Sequence, residues 1–166
     1  AAEAREPLHG QRVSGVSDVI GRARVVTAKD AEDGRPIADL RDGEIIIAPF
    51  LHPAWLPELV RASGAAVSIG GWLSHMAIVA RTMGIPVVLG LAGLPLTQID
   101  GKPVIADGFR GRVIVEPGRE FLRQYEQIIR DEESLARELE PRRNLPAATR
   151  DGHHVALMVN TGLLAD

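Results

Sequence analysis

The stretch Ile69-Gly-Gly-Trp-Leu-Ser-His75-Met-Ala-Ile-Val-Ala-Arg81-Thr-Met-Gly84-Ile-Pro86-Val-Val-Leu-Gly90 holds the residue types whose spacing suits chemistry. Gly70 and Gly71 form a loop, Ser74 is a good helix N-cap, and Met76, Val79, Ala80 and Met83 share one helical face before Gly84 and Pro86 stop the run. His75 therefore falls in the first turn of a helix. A helix start offers unpaired N–H groups and a partial positive charge, which favour an anion and the neutral form of a nearby imidazole. The neutral ring is a nucleophile. A phosphoryl group carried on it would have its charge held by the amides around Gly70, Gly71 and Ser74, with the Ser74 hydroxyl and Arg81 as further donors. On the residues alone a second reading stands beside this one, a histidine of the capping region with no function.

Composition narrows the chemistry. The chain has 166 residues and no cysteine, so disulfides, thiolate metal sites and a cysteine nucleophile are excluded. With 19 basic against 22 acidic residues the formal charge is −3, which gives no pull toward nucleic acid or an anionic membrane, and neither is expected as a partner. Lys29 and Lys102 are the only lysines, leaving phosphate binding to arginine or backbone amides. No run approaches the ~18 apolar residues of a membrane span, and Ala1 to Pro7 lacks a secretory signal's apolar core, so a cytoplasmic location is expected. The adjacent His153 and His154 would point to opposite sides of a strand, and no metal site is expected. His52 reads either as a residue facing His75 or as a solvent-exposed loop histidine. Trp55 and Trp72 read as core or docking surface, with Trp72 the better candidate for a partner contact. Asp100 and Asp107 precede glycines, where turn geometry accounts for them.

The elements that must position His75 follow from pattern. Residues 1–12, with Pro7 and Gly10, read as a linker, and Val19–Val26 is the first strand. Ala28–Asp42 reads as a loop, Glu44–Ala48 as a short buried strand, Pro53–Ser63 as a helix stopped by Gly64, and Ala65–Ser68 as a strand. After the His75 helix come strands Pro86–Leu89, Pro103–Ala106 and Arg112–Val115, the last two joined by a hairpin turn at Asp107-Gly108 and Gly111. From Arg119 to Glu140 the residues Phe121, Leu122, Tyr125, Ile128, Ile129, Leu135 and Leu139 recur at helical spacing, and the charged run Arg130–Ser134 reads as a solvated face. A last strand is expected at His154–Val159. A half-polar helix after a finished β/α unit suggests a connector between domains.

The run GGWLSHMAIVARTMGIPVVLG resembles the active-site signature of the phosphoenolpyruvate-utilising enzymes. Gly70, Gly71, Ser74, His75, Ala77, Ile78, Ala80, Arg81, Gly84, Ile85, Pro86 and Gly90 fit it position by position. In that family the histidine accepts a phosphoryl group, so the resemblance puts that role on His75. It extends to Gly21–Val26, Gly43–Pro49 and Asp107–Val115, and thus implies an α/β fold: a swivelling β/β/α phosphohistidine domain followed by a long connector helix. The implied boundaries are 1–117 for the domain, 118–144 for the connector and 145–166 for the start of a phosphoenolpyruvate-binding barrel. Gly10–Arg12 and the connector's start are the expected hinges. The connector, with Leu145–Val155, resembles the Enzyme I subgroup, the phosphoenolpyruvate-protein phosphotransferases.

The resemblance also sets expectations about partners. Enzyme I inserts a helical subdomain that binds a histidine-containing phosphocarrier protein, and here only Ala28–Asp42 occupies that place. Ala54-Trp55 and Trp72 look more like phosphoenolpyruvate synthase, pyruvate phosphate dikinase or rifampicin phosphotransferase members, whose partner is an ATP-grasp domain. The chain itself is expected to bind no cofactor, Mg²⁺ and phosphoenolpyruvate belonging to the barrel of the parent enzyme, and to lack turnover alone. A non-catalytic docking module that keeps the fold without the chemistry is the reading from another class.

Overall fold

A computed structural model describes residues 6–13, 18–71, 73–94, 96–156 and 158. It divides into two compact units, 1–129 and 130–166. The first carries eight strands: β1 (Leu8–His9), β2 (Gln11–Arg12), β3 (Asp18–Val25), β4 (Ile45–Ala48), β5 (Gly64–Val67), β6 (Val87–Leu89), β7 (Pro103–Asp107) and β8 (Arg112–Val115). The helices are α1 (Ala28–Asp33), α2 (Leu56–Arg61), α3 (His75–Thr82) and α4 (Arg119–Leu139).

The strands form one sheet in the order β1-β8-β7-β3-β4-β5-β6-β2. Strands β3, β4, β5 and β6 run parallel, and β7 and β8 form the expected antiparallel hairpin beside β3. Residues 8–12, expected as a linker and hinge, do something else. Leu8 and His9 pair with β8 at one edge while Gln11 and Arg12 pair with β6 at the other, so one short segment closes the sheet on itself. Gly10 is the crossing point: its N–H donates to the Gly111 carbonyl at 2.8 Å, and a Cβ on it would collide with the Leu89 carbonyl oxygen. Nothing in the local sequence signals such a pairing, because its partners lie about 80 and 100 residues away.

Side-chain alternation sorts the core into layers. Ile45, Ile47, Ala66, Val88, Val104, Ala106, Val113 and Val115 form one cluster, and Ile46, Ala48, Ala65, Val67, Val87 and Leu89 form another together with α1, α2 and α3. Both faces of β4 are buried, which is why it reads as an unbroken apolar run. A third cluster packs Tyr125, Phe121 and Leu122 of α4 on Ile20, Ile105 and Ile114.

Ala28–Asp42 is not wholly loop. Thr27 caps α1 by accepting from the Asp30 N–H, and Gly34 ends it at φ 61°. Such a helix is too short for a periodic pattern, although Thr27 and Asp30 carried a capping signal. The Pro53–Ser63 helix begins as a 3-10 turn (Pro53–Trp55) before α2. In the second unit α4 continues into a 3-10 turn at Glu140–Arg142, and Ala148 bridges His154. That bridge is what the described residues show of the strand expected at His154–Val159; Leu157 and 159–166 lie outside them. Among the described residues no helix is long and apolar enough to cross a membrane.

Candidate functional site

Parallel strands deliver their carboxyl ends to one side of a sheet, and loops there become the natural place for a ligand. Here β4 leads into Pro49–His52 and β5 into Ser68–Ser74. The two loops are stitched together, with Ser68 N–H donating to the Ala48 carbonyl at 3.3 Å and Ile69 N–H to the Pro49 carbonyl at 2.7 Å. Ser74 N–H donates to the Gly71 carbonyl at 2.9 Å, a tight turn that throws the chain into α3.

His75 is the first residue of α3 and is exposed. Ser74 has extended backbone and caps the helix as expected, its Oγ accepting from the Ala77 N–H at 3.3 Å. The hydroxyl proton remains available to donate. The amides of His75 and Met76 have no protein acceptor among the described residues, as befits the orphan groups of a helix start. Met76, Ala77 and Ala80 bury the opposite side of the helix against the sheet, so the imidazole is held on a rigid element with its ring outside the core. Ile69 (66% exposed) and Leu73 (87%) leave apolar surface on the loop that precedes it.

The two glycines differ in purpose. A Cβ on Gly70 would press on the Leu89 side chain at 3.1 Å, whereas one on Gly71 would meet nothing within 4 Å. Gly70 thus seats the loop on the sheet, and Gly71 leaves its backbone approachable from solvent. Arg81 lies in the last turn of α3, about 9 Å along the axis from His75 at the normal helical rise. Its Nε donates to the Val13 carbonyl at 3.2 Å, tying the far end of α3 to the segment that closes the sheet.

The remaining histidines and tryptophans sort themselves by contact. His52 is half-buried, its Nδ1 accepting from the Ala54 N–H at 3.1 Å with the ring lying over Gly34 and 6.3 Å from Trp55. It caps a turn, so neither reading made from the sequence describes it fully. Trp55 is core, its indole N–H donating to the Arg35 carbonyl at 2.6 Å. Trp72 lies outside the described residues. His153 and His154 are exposed, and among the described residues no three His, Asp or Glu side chains gather as a metal would require.

The sequence reading missed a polar cluster on the hairpin. Asp107 is fully buried: one oxygen accepts from the Arg110 N–H at 2.6 Å, the other from Arg112 Nε at 2.8 Å and the Tyr125 hydroxyl at 2.6 Å. Arg112 Nη2 donates to the same hydroxyl at 2.6 Å. Asp18, also buried, faces Asp107 across the β3–β7 ladder. Burial pushes the Asp107 pKa up, but the donors, Tyr125 foremost and then Arg110 and Arg112, outweigh it and hold the carboxyl below its ordinary value. Burial and the adjacent Asp107 carboxylate push Tyr125 up to about 12. The turn at Asp107-Gly108 was legible; its buried partner eighteen residues on, inside an apolar helical stripe, was not.

Residues 40–111, from just before β4 to the hairpin, match the family model of the mobile domain of the PEP-utilising enzymes. The phosphoenolpyruvate-protein phosphotransferase of Bacillus subtilis (strain 168) is 38% identical over 122 residues, 71% of this chain and 21% of that protein. The multiphosphoryl transfer protein of Xanthomonas campestris pv. campestris is 31% identical over 160 residues, 95% of this chain and 19% of that protein. The chain therefore spans about a fifth of the length of these curated relatives. A solution structure of Enzyme I superposes with a TM-score of 0.51 at 34% identity, over 58% of this chain and 40% of that one. The signature around His75, the sheet that presents it and these likenesses agree, and residues 40–111 are a mobile domain of the phosphoenolpyruvate-utilising enzymes.

Proposed function

We propose that this chain is the phosphoryl-carrier portion of a phosphoenolpyruvate-utilising phosphotransferase, transiently phosphorylated on His75. The observation that carries the reading is the exposed imidazole in the first turn of α3, beside the amides of His75 and Met76, which have no protein acceptor among the described residues. A ring nitrogen attacks the phosphorus of the donor, the bond to the departing oxygen breaks, and the phosphoryl group resides on nitrogen until an acceptor attacks it in turn. The helix start and the amides about Gly70 and Gly71 hold the negative charge, and the Ser74 hydroxyl donates to a phosphoryl oxygen. Arg81 ties α3 to the Val13 carbonyl through its Nε and is kept in this reading as a further donor to the phosphoryl group. In this reading Mg²⁺ and phosphoenolpyruvate bind a barrel of the parent enzyme, for which residues 145–166 supply the start and 118–144 the connector, and the protein works in the cytoplasm.

Between β3 and β4 the chain holds α1 and turns alone, leaving no helical subdomain there for a phosphocarrier protein to grip. That observation favours, as a second reading, exchange with an ATP-grasp domain, as in the phosphoenolpyruvate synthase type. Incubation with a phosphoenolpyruvate-binding barrel and labelled phosphoenolpyruvate should give acid-labile phosphate on wild type and none on His75→Ala. Unlabelled wild type, or equal label on the variant, overturns the carrier reading in favour of a docking module. Labelling by an ATP-grasp domain and ATP, with no transfer to phosphocarrier protein, selects the second reading.

A further inference from the structure

Sheet and α4 meet at Glu116-Pro117-Gly118, the place where a hinge would be looked for. Glu116 takes a positive φ of 50° that only its neighbours can enforce, with its N–H donating to the Pro103 carbonyl at 2.9 Å and its carboxylate 2.6 Å from Lys102 Nζ. The junction is thus held to the end of β7. One turn further on, Phe121 and Leu122 rest on Ile20, Ile105 and Ile114, and Tyr125 reaches the buried Asp107 and Arg112. Its hydroxyl donates to a carboxylate that belongs to β7 and accepts from a guanidinium that belongs to β8, so the helix is joined to both arms of the hairpin through a single atom. Sliding or lifting the helix would break two charge-assisted bonds at once and strand Asp107 in the core. Beyond Tyr125 the anchoring fades, and the compact unit ends at Ile129. The residues from Asp131 to Glu140 are exposed, apart from a half-buried Glu132.

We propose that Tyr125 bolts Arg119–Ile129 to the sheet as one rigid body, so that the swivel of the carrier domain pivots C-terminal to Ile129 and not at Glu116–Gly118. Tyr125 is a positioning residue: it sets the lever arm on which His75 moves. The use of the motion rests on the carrier reading, but the bolt is mechanical and is tested without phosphate, so either can fail alone. Amide hydrogen exchange on the full 166-residue chain should show Arg119–Ile129 protected like β7 and β8, and at least about tenfold more than Arg130–Leu139. Tyr125→Phe should speed exchange across Arg119–Ile129 by about tenfold while β4 and β5 stay as they were, and Asp107→Asn should do the same there. Equal exchange on the two sides of Ile129 in wild type, or no change at Arg119–Ile129 in both variants, overturns the proposal. Loss of protection throughout the sheet in both variants also overturns it, since the cluster would then hold the domain and not the helix.

Discussion

The His75 loop and the Asp107 cluster are polar centres of the same unit, and they are built on opposite plans. At the loop the side chain is exposed, amides are left without protein acceptors among the described residues, and one glycine faces open space. At the cluster a fully buried carboxylate has every oxygen engaged, and its tyrosine both donates and accepts. A reactive group that must receive a phosphoryl group needs unmet hydrogen-bonding capacity, whereas a group that fixes an element needs that capacity used up. On the carrier reading proposed above, the difference separates chemistry from carpentry among residues that look equally polar in the sequence.

Substitutions at the two centres should therefore fail differently. The largest effect belongs to His75→Ala, which should abolish acid-labile labelling while leaving the urea midpoint close to wild type. Asp107→Asn should do the reverse: an amide nitrogen must face N–H or guanidinium donors, so protection from exchange falls about tenfold across Arg119–Ile129 while labelling is retained. The glycines sharpen the contrast. Gly10→Ala should cost about 1–3 kcal/mol, because its Cβ meets the Leu89 carbonyl at the point where the sheet closes, while Gly71→Ala should shift stability by less than about 0.5 kcal/mol. Ser74→Ala should cost about 1 kcal/mol through the lost cap and, beyond that, shorten the lifetime of the phosphorylated form in hydrolysis assays.

pH offers the mildest probe. The folded Asp107 pKa lies below its ordinary 3.8, so its contribution is complete above that value and is lost as pH falls through the lowered one. Tyr125 is raised from 10 to about 12, so its contribution is complete below pH 10 and lost as pH rises through about 12. Asp18, Arg110 and Arg112 face the same cluster, and against the effect of burial Asp107 and Tyr125 raise the Arg112 pKa further above its ordinary value. Asp107 and Tyr125 should thus add no slope to stability from about pH 5 to 9, and Tyr125→Phe should remove the alkaline limb in urea titrations.

Much of the site was readable because it is local. Ser74 as a cap, His75 in the first turn, Gly70-Gly71 before it and Gly84 with Pro86 after it act through neighbours within a few residues, and the structure keeps each at its expected place. Strands β3 to β8 and α4 were legible for the same reason, since burial on one or both faces writes a period into the chain. Arg81 shows the limit: nothing near it in the chain signals that its Nε bonds the carbonyl of Val13, 68 residues earlier.

The sequence by itself determined that His75 opens a capped helix, and it determined most of the elements, because caps, glycines and periodicity are short-range physics. Tertiary structure alone decided that Leu8–Arg12 closes the sheet, that Arg81 braces α3, and that a tyrosine in an apolar stripe meets an aspartate in a turn. Each of those is a pairing between groups that are ordinary where they stand and specific only when the fold brings them together.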